Sequence, residues 1–498
     1  MHKSSEVLDA RRSGVLLHVT SLPAAVEFTG DALGDFSSAC RFIDFLVTAG
    51  MSVWQILPLG PTHKDLSPYL STSSLAGNPL LIDLQWLRDR GWLSARLAVQ
   101  QCGSINDFRI ACLNEAFTTF NTLPDSRYHR DYNDFVIEHD SWLTDFSVFT
   151  ALWRSNDGMA WMDWQQPLRD RESQALAQVC QQLDTQINQV KFEQFIFYTQ
   201  WLEIKSYANS RSVLIFGDMP LFVAHDSAEV WVNRQYFRVD EQGEAKVVAG
   251  VPPDYFSVTG QKWGNPVYDW QQLEADGFQW WVTRLNSQLE LYDLLRIDHF
   301  RGLEACWEIA ADAESAVEGH WKNTPGFKLL QTLQQHFGFL PLVAEDLGFI
   351  TEDVHRLREQ FSLPGMKVMQ FSFDGSADNP YLLINHEINS VVYTGTHDND
   401  TSLAWYQSMS PEVRSSIDDE LGQNNMTMPW SLIDYTMASV AKLVIIPMQD
   451  ILALGAGHRL NTPGTVGNNW TWQFSWQQLS DDLPERLHRI VGRHQRLV

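Results

Sequence analysis

Eight short runs of apolar, largely β-branched residues punctuate this chain, and several end in polar or charged residues on their carboxyl side. They are GVLLHVT (14–20), SVWQILPL (52–59), VLIFGDMP (213–220), LLRIDHF (294–300), PLVAEDL (341–347), MKVMQFSF (366–373), SVVYTGTHD (390–398) and KLVIIPMQD (442–450). Near-continuous apolar runs of this length mark strands buried on both faces. Amphipathic segments lie between many of them. After the fifth run, Thr351 is placed to cap a helix, Glu352 and Asp353 suit its positive end, Val354, Leu357 and Phe361 share one face, and Pro364 stops it. Eight strand–helix units favour a parallel (β/α)8 TIM barrel over an open sheet, because side chains at the ends of many strands then converge at one mouth.

The spacing of the runs is uneven. Roughly 150 residues separate the second run from the third and about 70 the third from the fourth, both longer than a simple crossover. The first gap carries helical patterns such as DSWLTDFSVFTALW and WLEIKSYANS. The sequence therefore predicts a catalytic barrel over 1–498, interrupted by a largely helical subdomain at 62–212 and a second insertion at 221–290. No fixed-period repeat or low-complexity tract marks an independent second domain.

Composition narrows the partners. With 36 basic and 61 acidic residues the formal charge is −25, which repels polyanions and argues against nucleic acid or an anionic membrane. The five cysteines (Cys40, Cys102, Cys112, Cys180, Cys306) are scattered and free of CxxC spacing, so they suggest neither a disulfide framework nor a zinc site. Glu6 and Asp9 fall where a signal peptide would need an apolar core, and no run reaches the length of a membrane helix. The expectation is a soluble cytoplasmic protein. Twenty tryptophans and 13 tyrosines serve mainly as core, but they also suit a ligand that stacks on rings, such as a sugar.

Charges cluster where the runs end. In a strand, residues two apart point to one side, so Arg296 and Asp298 of LLRIDHFRG would share the barrel-facing side while Ile297 packs outward. A cation beside a carboxylate favours its ionised form, as a nucleophile requires. Glu345 follows three apolar residues, surroundings that favour a protonated general acid. The seventh run adds His397, Asp398 and Asn399. An ionised carboxylate, a protonated carboxyl group and a third acidic residue are the parts needed to cleave a glycosidic bond with retention. A rim ion-pair network is the structural alternative, and His299 and Arg301 fit it as well as they fit ligand binding. Glu304 and Glu308, i and i+4, read as exposed helix charges. Trp142, Trp153, Trp161 and Trp164 in the long insertion read as core. HDND lacks partner motifs for a metal centre, and LALGAGHRL lacks the context of a dinucleotide site, so no cofactor is expected.

More specific is the resemblance of several blocks to the 4-alpha-glucanotransferase (amylomaltase or disproportionating enzyme) family, in its short form without an N-terminal extension. SPYLSTSSLAGNPLLIDL (67–84), GDMPLFVAHDSAEVW (217–231), GVPPDYFSVTGQKWGNPVYDW (250–270), RIDHFRG, AEDLG, GTHDND and HRLNTPGTVGNNWTW follow the family's order over almost the whole chain. The resemblance implies Asp298 as nucleophile, Glu345 as acid/base and Asp398 as transition-state stabiliser, with Arg296 and His397 flanking the sugar at the cleavage point. It implies Ser67, Tyr69, Asp218, Asp254, Asp346 and Asn461 as further substrate-binding residues. Gln261 and Trp263 fall in what resembles the family's lid, 247–266. The implied partners are maltooligosaccharides or longer α-1,4-glucans as donor and acceptor. Two positions depart from the family's blocks: Leu70 stands where SPYQ is common and Leu460 where RMN is. Neither is one of the three carboxylates, so both bear on chain-length preference rather than reaction class. An α-amylase-type hydrolase and a non-catalytic glucan-binding protein are the alternatives.

Overall fold

A computed structural model describes residues 10–24, 33–94, 104–124, 126–253, 258–422 and 426–498. Its strands, in chain order, are β1 (Arg12–Leu16), β2 (Val53–Gln55), β3 (Leu214–Met219), β4 (Val247–Val251), β5 (Gln261–Pro266), β6 (Leu294–Ile297), β7 (Ala305–Ala310), β8 (Gly319–Asn323), β9 (Leu342–Ala344), β10 (Gly365–Val368), β11 (Ser390–Tyr393) and β12 (Leu443–Pro447). Eight of them, one in each apolar run of the sequence, form a parallel sheet ordered β10-β11-β12-β1-β2-β3-β6-β9. The Ala344 N–H donates to the Pro364 carbonyl at 2.9 Å, so β9 reaches the start of β10 and the sheet curls into a (β/α)8 barrel.

Period-two alternation sorts the side chains. Leu16, Val53, Phe216, Leu294, Val343, Met366, Val391, Tyr393, Leu443 and Ile445 form one buried cluster inside the barrel. Their neighbours Val15, Trp54, Ile215, Leu295, Leu342, Val392, Val444 and Ile446 belong to the larger cluster beneath the surrounding helices. Continuing each strand in the same rhythm past its end brings His18, Asp218, Asp298, Glu345 and His397 to the inner side at the carboxyl-terminal mouth.

Between β2 and β3 the described secondary structure is helical apart from one isolated bridge, Thr62 to Ser71, and ends in the 26-residue helix Asp184–Asn209. Trp201 of that helix is fully buried, donates its indole N–H to the Leu291 carbonyl at 3.0 Å and lies 6.3 Å from Trp54 of β2. Trp142, Trp161 and Trp164 are buried as well, and Trp153 packs against the same core. The helix expected after the fifth run is present as Glu352–Gln360, with Val354 and Leu357 buried.

The segment holding Glu304 and Glu308 departs from expectation. It forms no helix: Ala305–Ala310 is β7, in a second, antiparallel sheet ordered β5-β4-β7-β8. Glu308 is buried there, 2.6 Å from Arg238. Cross-strand pairing on both sides of β7 outweighs the local i,i+4 pattern. The segment 247–266 is likewise not a free loop, because β4 and β5 belong to this sheet and only residues 252–260 connect them. Among the described residues no helix is long and apolar enough to cross a membrane, and Cys40, Cys112, Cys180 and Cys306 are free thiols.

Candidate active site

Strand register builds the centre of the site. Asp218 of β3 and Arg296 of β6 are ladder partners, both on the inner face. Arg296 Nη1 donates to Asp218 Oδ1 and Oδ2 at 2.9 and 2.7 Å, and its Nη2 donates to Asp298 Oδ1 at 2.8 Å. One guanidinium thus spans two carboxylates in short, charge-assisted bonds. The two differ in access, since the Asp218 side chain is fully buried whereas that of Asp298 is 31 % exposed to the cleft. On the opposite side of β3, Gly217 lets the strand lie against the Tyr292 ring, which a side chain there would strike. Burial pushes the Asp218 carboxyl up to about 7, against the pull of Arg296.

Glu345 stands one residue beyond β9. Its Oε2 accepts the His299 backbone N–H at 2.8 Å and its Oε1 the Leu347 N–H at 2.9 Å. Burial raises its pKa to about 7; Arg296 opposes the shift, Asp298 adds to it, and the two backbone bonds oppose it. His299 offers its N–H in this direction because it adopts the left-handed region at φ +52°, uncommon for a non-glycine residue.

Asp398 lies five residues beyond the end of β11, in the turn that follows it. Asn461 Nδ2 donates to its Oδ1 at 2.6 Å, and His397 Nε2 lies 3.4 Å from its Oδ2. Its side chain is 44 % exposed. Tyr69 joins this side to the centre: its hydroxyl donates to Asp218 Oδ2 at 2.8 Å and lies 3.0 Å from His397 Nε2. With that proton committed to Asp218, the Tyr69 oxygen accepts from an Nε2–H tautomer of His397. Burial lowers the His397 pKa and favours the neutral ring. Tyr69 and His397 stack at 5.3 Å, and Trp470 lies 5.9 Å from Tyr69 and 6.0 Å from His397.

The other residues singled out in the sequence take varied places. Trp263 donates its indole N–H to Gln261 Oε1 at 3.1 Å and meets the His299 ring edge-on at 4.8 Å, so β5 reaches the residue whose N–H binds Glu345. Ser67 sits in the turn leading to Tyr69, its N–H on Asp65. Asp346 has its contacts beneath the rim instead: Oδ1 accepts the Met366 N–H at 2.7 Å and Oδ2 lies 3.4 Å from Arg358, across the β9–β10 seam. Gly365 leaves the room it occupies. Asp254 lies outside the described residues.

Sequence reasoning missed several supports. The backbone N–H groups on Glu345 have no residue-type signature at all. Trp470 was one tryptophan among twenty. Arg459, which donates to the carbonyls of Asp398 and Asn461, could have been found from its i,i+2 spacing to Asn461.

Three carboxylates at the mouth of a parallel barrel, one braced by arginine and one with its pKa raised by burial, with flat rings alongside, are features of the class of enzymes that act on glycosidic bonds. A family model described as 4-alpha-glucanotransferase matches residues 17–479, and the chain belongs to that family. It is 45 % identical to a 4-alpha-glucanotransferase of Synechocystis over 99 % of both chains. To the Thermus thermophilus enzyme of the same name it is 44 % identical, over 98 % of this chain and 99 % of that one. The amylomaltase from Streptococcus agalactiae in complex with acarbose superposes with a TM-score of 0.92 at 36 % identity, covering 98 % of this chain and 100 % of that one.

Proposed function

We propose that this enzyme transfers a segment of an α-1,4-glucan to the 4-hydroxyl of another glucan or of glucose, with Asp298 as nucleophile and Glu345 as acid/base. The observation that supports this most is the contrast between the two carboxylates: Asp298 bound by a guanidinium and open to the cleft, Glu345 raised to about 7 by burial. Asp298 Oδ attacks the anomeric carbon as the glycosidic C–O bond breaks, and Glu345 delivers its proton to the departing oxygen. Glu345, now ionised, removes the proton from an acceptor 4-hydroxyl. That oxygen attacks the glycosyl-enzyme and releases Asp298 with net retention.

Asp398, fixed by Asn461 and His397, presents its carboxylate to hydroxyls of the sugar undergoing cleavage, and Asp218, Tyr69 and Arg296 form the rigid bed beneath it. Ser67 and Gln261 line the approach, Asp254 is a further substrate-binding carboxylate, and Asp346 serves the same site indirectly by closing the β9–β10 seam behind Glu345. The β4–β5 lid with Trp263 keeps water from the intermediate so that a sugar hydroxyl arrives first. The insertion at 62–212 walls one side of the mouth and supplies Tyr69.

Incubation with maltotriose, without metal or nucleotide, tests the reading. A ladder of longer maltooligosaccharides with released glucose is expected, and Asp298→Asn should lower its rate by roughly 10⁴-fold or more. Only maltose and glucose would instead mean a hydrolase. No product change with any maltooligosaccharide would mean a binding protein.

A further inference from the structure

Four residues beyond Glu345 stands Phe349, a phenyl ring left 64 % exposed. Single exposed apolar side chains are common and call for no special account. This one differs because it is part of a stack. The Arg301 guanidinium lies 3.8 Å from the centroid of the Trp321 ring and 5.4 Å from that of Phe349, so both rings face one cation. Arg301 is itself buried, with Nε and Nη1 making no hydrogen bond, and among the described residues no carboxylate is paired with it. A buried guanidinium with unused donors is costly unless flat rings cover it. Its position is thereby tied to the aromatics around it.

The stack joins three elements of the mouth. Arg301 follows Asp298 by three residues, Trp321 is on β8 of the lid sheet, and Phe349 is in the loop that carries Glu345. That loop is held at both ends: the Leu347 N–H is bound to Glu345, and Ile350 packs on the core. Phe349 is therefore an exposed ring on an anchored support. Four residues of chain span at most about 14 Å, which fixes how far its backbone can stand from that of Glu345.

The side of the cleft follows from the chemistry. An acid/base protonates the leaving oxygen and later takes the proton of the incoming hydroxyl, so it stands on the leaving-group and acceptor side of the cleaved bond. Asn461, Tyr69, His397 and Trp470 are gathered at Asp398 and Asp218 instead. We propose that Phe349, backed by Arg301 and Trp321, is an acceptor subsite that stacks on the apolar C–H face of a glucosyl residue beyond the one whose 4-hydroxyl reacts. On this reading a free glucose acceptor, which has only the reacting ring, makes no contact with Phe349, whereas a maltotriosyl acceptor carries further rings that do. The proposal rests on the transferase reading above and adds a length preference to it.

The experiment uses amylose as donor and compares glucose with maltotriose as acceptor, in the wild-type enzyme, Phe349→Ala and Phe349→Trp. The alanine variant should lower kcat/KM for maltotriose about tenfold relative to glucose, the loss of one stacking contact, and mostly through KM. Phe349→Trp should restore the wild-type ratio. Equal losses for both acceptors, or no change for either, would overturn the subsite while leaving the transferase reading intact. A wild-type enzyme that transfers to neither acceptor and only hydrolyses amylose would overturn both.

Discussion

Glu345 illustrates how much a single side chain depends on what surrounds it. An exposed glutamate titrates near 4.3, whereas here burial holds the group near about 7 despite two backbone N–H donors. Proton donation to the leaving oxygen needs the protonated form, so transfer activity should fall as pH rises through about 7. A pH profile of kcat/KM reads this, and Glu345→Gln should cost about 10²–10⁴-fold at the optimum. The same shift acts on stability. The unfolded chain releases this proton at lower pH than the folded one, so stability present in acid is lost as pH rises from about 4.3 to about 7. Asp218, also pushed up to about 7, acts in the same direction. Thermal unfolding across that range should show a decline, shallower in Glu345→Gln whatever that variant's absolute stability. The sequence made Arg296, Asp298, Glu345 and Asp398 legible because carboxylates at the ends of apolar strands are costly without a use. It could not show that His299 turns left-handed and gives its N–H to Glu345, since backbone donors leave no mark in residue type.

At the level of elements, the proposed lid is an antiparallel pair, β4 and β5, within the four-stranded sheet. β4 pairs with β7, and β7 follows the nucleophile's strand after a short 3-10 turn at Phe300–Leu303. The antiparallel sheet that holds β4 and β5 is thereby joined in sequence, through β7, to the barrel strand that ends at Asp298. Trp263 of β5 touches His299, so the proposed lid ends against the residue whose N–H binds Glu345. Trp263→Ala should raise the ratio of hydrolysis to transfer severalfold by admitting water, measured as new reducing ends against the maltooligosaccharide ladder. An unchanged ratio would show that the ring does not exclude water. The eight barrel strands were readable because burial on both faces produces long apolar runs. β7 was not: Glu304 and Glu308 matched a helical spacing, and only pairing with β4 and β8 made that segment a strand.

Across the whole molecule, the helical insertion and the barrel share one core. Trp201 lies between them, against Trp54 and Phe36, with its indole N–H on Leu291. Trp201→Ala should cost about 3–5 kcal/mol, read as a lower midpoint in urea unfolding, because the cavity opens where neither part can collapse to fill it. The helical character of the segment between β2 and β3 could be inferred from spacing and periodicity, yet nothing local indicates that Tyr69 meets Asp218 and His397, residues 149 and 328 positions away. By itself the sequence determined the alternation that sorts inner from outer side chains, hence the barrel and the set of acidic residues at its mouth. Tertiary structure alone decided which groups meet: the β3–β6 register that sets Asp218 against Arg296, the turn that aims His299 at Glu345, and the sheet that fixes the lid. Periodicity is a property of neighbours along the chain, whereas distance across a cleft depends on every strand being in register at once.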